Sequence, residues 1–213
     1  MKNWMSPLSK LVTRNKVSFM AHHVYQSEAL VLRGIDVREA NRFVDVFTRE
    51  LGLIRAAATS SRKESSKMRY SLQDYTHLDV SLVRGKEVWR ITGAKERSNI
   101  YYKLKDDKKK FFLFKKVNSL LTRLLHGEEK NERLFDALLS FIEFLSENKI
   151  ESESVKNIEC LIVLRILYHL GYVAKKENMY ETNEFKDEFL VYIKKNQKDV
   201  IQEINAALKE SQL

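Results

Sequence analysis

The side chains that most often carry chemistry are few here and poorly grouped. His22 and His23 are adjacent, but they lie in the basic N-terminal stretch, where a metal role has little support. Cys160 and His169 fall in one apolar stretch, where a thiol reads as core rather than nucleophile and the histidine as a satisfied buried residue. Asp106 and Asp107 are flanked by Lys105 and Lys108–Lys110; acids at that place suit the start of a helix better than a metal. There is no G-x-x-x-x-G-K-[ST] loop to cradle phosphates, so direct use of ATP is not implied. No G-x-S-x-G, H-E-x-x-H or H-x-E with P-C-x-x-C occurs either. A single cysteine excludes a disulfide framework and any multi-cysteine metal site, and it suits a reducing cytoplasm. The expectation is a binding protein without a cofactor, not an enzyme.

Cations form the stronger constellation. Arg33, Arg38, Arg42, Arg49 and Arg55 recur through one stretch, Arg62, Lys63, Lys67 and Arg69 follow in the polar segment SSRKESSKMRY, and Arg84, Lys86 and Arg90 come next. The chain carries a net charge of +9, and its distribution is lopsided. Residues 1–100 hold 18 Lys/Arg against 10 Asp/Glu, whereas residues 101–213 hold 20 against 19. A polyanion is the natural partner for such a half, and phosphate contacts would make binding salt-dependent. Arginines at solvent-facing positions also serve solubility, so some of these are expected to be bystanders. Tyr70, Tyr75 and Trp89 are candidate stacking rings; Trp89 alternates with Arg90, which favours a core position for it.

The elements that must hold these cations are short strands. Ala29–Ile35, Phe43–Thr48 and Leu53–Thr59 are apolar and β-branched runs. Gly34 with Asp36 ends the first, and Gly52 supplies the positive φ of the turn between the second and third. In Asp74–Val83, Leu78, Val80 and Leu82 alternate with His77, Asp79 and Ser81, the period of a half-buried strand. Arg84–Gly85–Lys86 turns into a fifth strand, Glu87–Thr92. Five such strands in a short span suit a small closed barrel, of OB or SH3-like type.

After a connector at Ala94–Lys105 the period lengthens to that of helices. One runs from Asp106 to near Gly127, one is capped by Asn131, and one runs from a Ser154 cap to Leu170 with Gly171 as terminator. Phe185–Lys195 and Asp199–Lys209 are two more. No 18-residue apolar run is present, so no membrane-spanning helix is expected.

The ordered set Glu28–Arg33 (EALVLR), Glu39–Leu53 (EANRFVDVFTRELGL) and Arg55–Ala58 resembles the N-terminal OB-fold of the bacterial recombination mediator family RecO. The likeness continues weakly through Leu72–Gln73 and Asp79–Arg90, and reaches the helical remainder only by pattern. It implies an α+β chain: a five-stranded OB-fold β-barrel over 23–97 that binds nucleic acid, and an all-α helical domain over 98–213. Residues 1–22, with Lys2, Lys10, Arg14 and Lys16 and no acid, read as a basic N-terminal arm. Met20 offers an alternative start just before the first strand.

The same resemblance implies a cytoplasmic, nucleoid-associated protein that binds single- and double-stranded DNA. Such a protein anneals complementary strands without ATP and works with RecR to load RecA on DNA coated with single-strand binding protein. The acidic, apolar-ended C-terminal tail of that binding protein would need a cation beside aliphatic walls, for which Lys115, Lys116, Arg123 and Arg165 are candidates. Family members typically carry a four-cysteine zinc module after Leu-Gly-Tyr. Here Leu170–Gly171–Tyr172 is followed by VAKKENMYETNEFKDEF, which has no cysteine, so Met179, Tyr180, Phe185 and Phe189 are expected to pack in its place. On the residues alone, an RNA-binding barrel with a helical docking domain remains an alternative reading.

Overall fold

The computed structural model describes residues 23–37, 39–64, 66–174 and 178–211. The expected basic arm over 1–22 and Arg38 lie outside the described residues.

Five strands come first: β1 (Val24–Val37), β2 (Asn41–Thr48), β3 (Gly52–Ala58), β4 (Thr76–Arg84) and β5 (Trp89–Asn99). They close into a barrel in the order β1-β2-β3-β5-β4, with β3 and β5 parallel and the other pairs antiparallel. This ring is the OB arrangement, which strand counting could not separate from an SH3-like one. Alternation sends Ala29, Val31, Val44, Val46, Ile54, Ala56, Leu78, Val80, Leu82, Trp89 and Ile91 into the barrel. Gly52 has φ +72°, as the β2–β3 turn requires.

Two sequence boundaries shift. Gly34 does not end β1; it lies inside the strand, and the Arg42 guanidinium from β2 occupies the space a Cβ would take. The expected connector at Ala94–Lys105 is instead the end of β5 followed by the short helix α1 (Ile100–Leu104). Pairing with β4 as far as Thr76↔Asn99 continues the strand beyond the apolar residues that marked it.

The helices α2 (Lys108–Leu124), α3 (Glu132–Glu147), α4 (Val155–His169), α5 (Asn178–Glu181), α6 (Asp187–Lys195) and α7 (Gln197–Glu210) follow. The Asp107 side chain accepts from the Lys109 and Lys110 amides and so caps α2; Asn131 caps α3. Ser154 makes no such bond, so α4 begins without a side-chain cap. Its far end stops at Gly171, φ +82°, with the Tyr172 amide donating to Leu167 O. Helix α4 is buried nearly all round and α2, α3, α6 and α7 pack about it.

The helical core reaches onto the barrel. Leu30, Leu32 and Phe47 point outward from β1 and β2 into the same apolar cluster as α2 and α3. Phe47 meets Phe135 with ring centroids 5.7 Å apart, and Asn118 Nδ2 donates to Leu32 O at 3.0 Å. On the adjoining part of the barrel, the α2–α3 linker crosses β3: Leu53 N donates to Gly127 O, and the Glu129 backbone lies where a Cβ of Gly52 would be. Part of the outer barrel face is therefore covered, and a ligand must use the remainder.

Candidate nucleic-acid interface

The cations singled out by sequence fall into three groups. The first is committed within the fold. Arg42 binds Asp36 and Asp74 with one nitrogen each, lies over Gly34, and leaves Nε without a partner among the described residues. Arg49 bridges Glu28 on β1 and Asp136 on α3, with its guanidinium 4.8 Å from the Phe135 ring centre. It ties barrel to helices.

The second group is half-committed. Register places Arg33, Asp45 and Arg55 side by side on β1, β2 and β3. Arg33 Nε donates to Asp45 Oδ2 at 2.6 Å and Arg55 Nε to Oδ1 at 2.7 Å. Burial pushes the Asp45 carboxyl up, but hydrogen bonds and charge from Arg55 and Arg33 outweigh it and hold the group below its ordinary value. Both guanidinium side chains remain about half exposed, and the triad keeps a net positive charge. Arg62 reaches Asp36 at 3.4 Å. Arg84 lies 3.7 Å from Glu128 and over the Trp89 ring.

The third group stands free. Lys63, Lys67 and Arg69 on the β3–β4 loop, and Lys86 and Arg90 on the β4–β5 hairpin and start of β5, are exposed and have no ion-pair partner among the described residues. Arg90 pairs in register with Ala57, one residue before β3 ends and the loop begins. The loop and the root of the hairpin thus leave the barrel near one another.

The aromatic candidates also separate. Trp89 is barrel core, and its indole N–H donates to Glu128 at 2.7 Å. Tyr75, with φ +66°, is half-buried against Phe111 and Phe114. Tyr70 is 65% exposed, with the Arg69 guanidinium over its ring.

In the helices, Arg165 is a correction. It was expected to face a partner, yet it is fully buried. Nε donates to Met179 O at 2.8 Å, Nη2 to Glu184 O at 2.6 Å, and the guanidinium stacks 4.6 Å from the Phe185 ring. Burial lowers its pKa to about 10. Arg165 therefore fastens the segment that follows α4, while Met179, Tyr180, Phe185 and Phe189 pack there as expected. Lys115 is exposed over Phe111. Lys116 and Arg123 rim a groove of about 810 Å³ whose apolar walls include Leu120, Val163, Ile204 and Leu208. Lys116 is engaged by Glu159 at 3.1 Å. Lys156 on α4 shares this rim and was missed, because its position there depends on how α2, α4 and α7 meet. His169 is not the satisfied histidine expected: Nε2 is buried without a partner among the described residues.

A five-stranded OB barrel with helices docked on part of its wall and unpaired cations on two connections makes a two-part protein with an exposed basic surface. The model for the N-terminal part of recombination protein O matches residues 20–99, and that for its C-terminal part matches residues 111–205. The chain belongs to the RecO family of DNA repair and recombination proteins. It is similar to the DNA repair protein RecO of Heliobacterium modesticaldum, 32% identical over 149 residues, which are 70% of this chain and 52% of that one. To the DNA repair protein RecO of Polynucleobacter necessarius it is 29% identical over 161 residues, 76% of this chain and 65% of that protein. With the Thermobifida fusca DNA repair protein RecO it shares 39% over 69 residues, 32% of this chain and 28% of that one. The chain spans about half to two thirds of the length of the first two relatives. Among the described residues no helix is long and apolar enough to cross a membrane.

Proposed function

We propose that this chain is a non-enzymatic recombination mediator. It binds single- and double-stranded DNA through Lys63, Lys67, Arg69, Lys86 and Arg90, and through Arg33 and Arg55 on the barrel wall. By lowering the repulsion between two phosphate backbones it anneals complementary strands without ATP. With RecR it assists RecA loading on strands coated by single-strand binding protein. The observation that carries this reading is the set of exposed, unpaired cations on two connections of an OB barrel in a RecO-family chain. Phosphate contacts made by exposed lysines and arginines read no base, which suits a protein that must act on any sequence.

The helical groove takes the acidic tail of the single-strand binding protein. Its apolar floor suits an apolar chain end, and Arg123 and Lys156 on the rim suit carboxylates. Two assays test the reading. Complementary labelled oligonucleotides mixed with the protein and no nucleotide should anneal faster than without it. A fluorescent tail peptide should bind the native protein and lose about tenfold in affinity to Arg123→Ala with Lys156→Ala. No acceleration of annealing, or tail binding indifferent to both substitutions, would contradict it.

A further inference from the structure

The turn between α1 and α2 carries a feature that the barrel cations do not account for. Between positions 101 and 116 the chain holds seven lysines and two acids. One of those acids, Asp107, is taken up by the amides at the start of α2. Two adjacent tyrosines open this stretch: Tyr101 is 43% exposed and Tyr102 59%. Neither hydroxyl has a hydrogen-bond partner among the described residues. Their rings meet edge to face at 5.4 Å, Tyr101 meets Phe111 at 5.3 Å, and Phe111 meets Tyr75 at 6.0 Å. The Lys105 ammonium lies 5.6 Å from the Tyr102 ring centre, and Lys115 lies 5.9 Å from that of Phe111.

This rank of rings starts in solvent at Tyr102 and ends at Tyr75. Tyr75 closes the β3–β4 loop, the loop that bears Lys63, Lys67 and Arg69, and its carbonyl accepts from the Ile100 amide at 2.9 Å. The inner rings are packed, so the outer ones are held firmly and lose little freedom on binding. Exposed aromatic faces set among unpaired ammonium groups match a flexible polyanion that carries its own flat rings. A duplex offers the charge but keeps its base faces stacked inside.

We propose that Tyr101 and Tyr102, with Lys105 and Lys115, form a second subsite that takes unstacked bases of a single strand leaving the basic loop. It rests on the nucleic-acid reading above and adds to it a preference for single strands. A path from the loop across Tyr75 to these rings would hold one strand with its bases engaged while the barrel cations hold phosphates.

The test measures affinity of the full chain for three labelled probes: oligo(dT), a strand of the same length made of abasic sites, and a duplex. Tyr102→Ala should weaken oligo(dT) binding about tenfold. The abasic strand and the duplex should change less than twofold, and Tyr102→Phe should behave as the parent. Equal losses on all three probes, or no loss on oligo(dT), would overturn the subsite and leave the barrel reading standing. Failure of the unaltered protein to bind any probe would overturn both. Photo-cross-linking of a strand containing 5-iodouracil needs no substitution: the adduct is expected on the tryptic peptide Ser98–Lys103. Adducts confined to the barrel would count against the subsite.

Discussion

Arg33 and Arg55, on strands that do not touch, grip the two oxygens of one carboxylate, that of Asp45 on the strand between them. The acid is nearly buried and the cations are half exposed, so Asp45 both fixes their heads and cancels one of their charges. Asp45→Asn should cost about 1–3 kcal/mol of stability, seen as a lower denaturation midpoint. It should also tighten DNA binding at low salt and steepen the salt dependence, because two guanidinium groups are released toward phosphate. Weaker binding by a folded variant would mean that the carboxylate positions the arginines for the ligand.

Stability should fall with acid, through the hub at Glu28. Its carboxylate accepts from Arg49, His77 and Arg97. Burial alone would raise its pKa, but the bonds from His77 and Arg49 and the charge of Arg97 hold it down. His77 is lowered too, chiefly by burial, with Arg97 and Lys103 adding repulsion and Glu28 opposing. The signs agree. A carboxyl depressed in the fold contributes fully above its unfolded value of 4.5, and that contribution is lost as pH falls through the folded value. A histidine depressed in the fold resists the proton that the unfolded chain accepts below 6.5. Thermal midpoints should therefore begin to drop near pH 6.5 and fall more steeply below 4.5. Glu28→Gln should be less stable at neutral pH and show a shallower acid limb; an unchanged limb would remove Glu28 from this role.

Arg165→Leu should destabilise by about 2–5 kcal/mol, since it strands the carbonyls of Met179 and Glu184 and removes the platform under Phe185. Arg165→Lys should not rescue it, because a single ammonium cannot serve two carbonyls and stack on a ring at once. Urea denaturation reads the loss directly, and proteolysis near residues 179–185 should quicken. A change below about 0.5 kcal/mol would place the hold on this segment in its apolar packing alone.

The five strands, the five longer helices and the charge asymmetry were legible because each is written as a local period or count. Val80 and Leu82 alternate with Asp79 and Ser81, and no tertiary fact is needed to place them. What escaped was pairing across distance. Arg42 and Arg49 look like their neighbours in sequence; only register and the docking of α3 bring carboxylates to them. Gly34 looked like a terminator because the side chain that crosses it comes from another strand. Arg165 is one cation among apolar residues on α4, and nothing nearby in sequence announces two carbonyls from the segment beyond Gly171. The Lys156 rim position likewise exists only where three helices meet.

The most direct test compares the salt dependence of oligo(dT) binding by the native chain and by a variant with Lys63→Ala, Lys67→Ala and Arg69→Ala. If these free cations hold phosphate, the slope of log affinity against log salt should flatten by about 0.7 for each lost contact, about two in all, while the fold stays intact. A slope that does not move, in a variant that melts like the parent, would contradict the account.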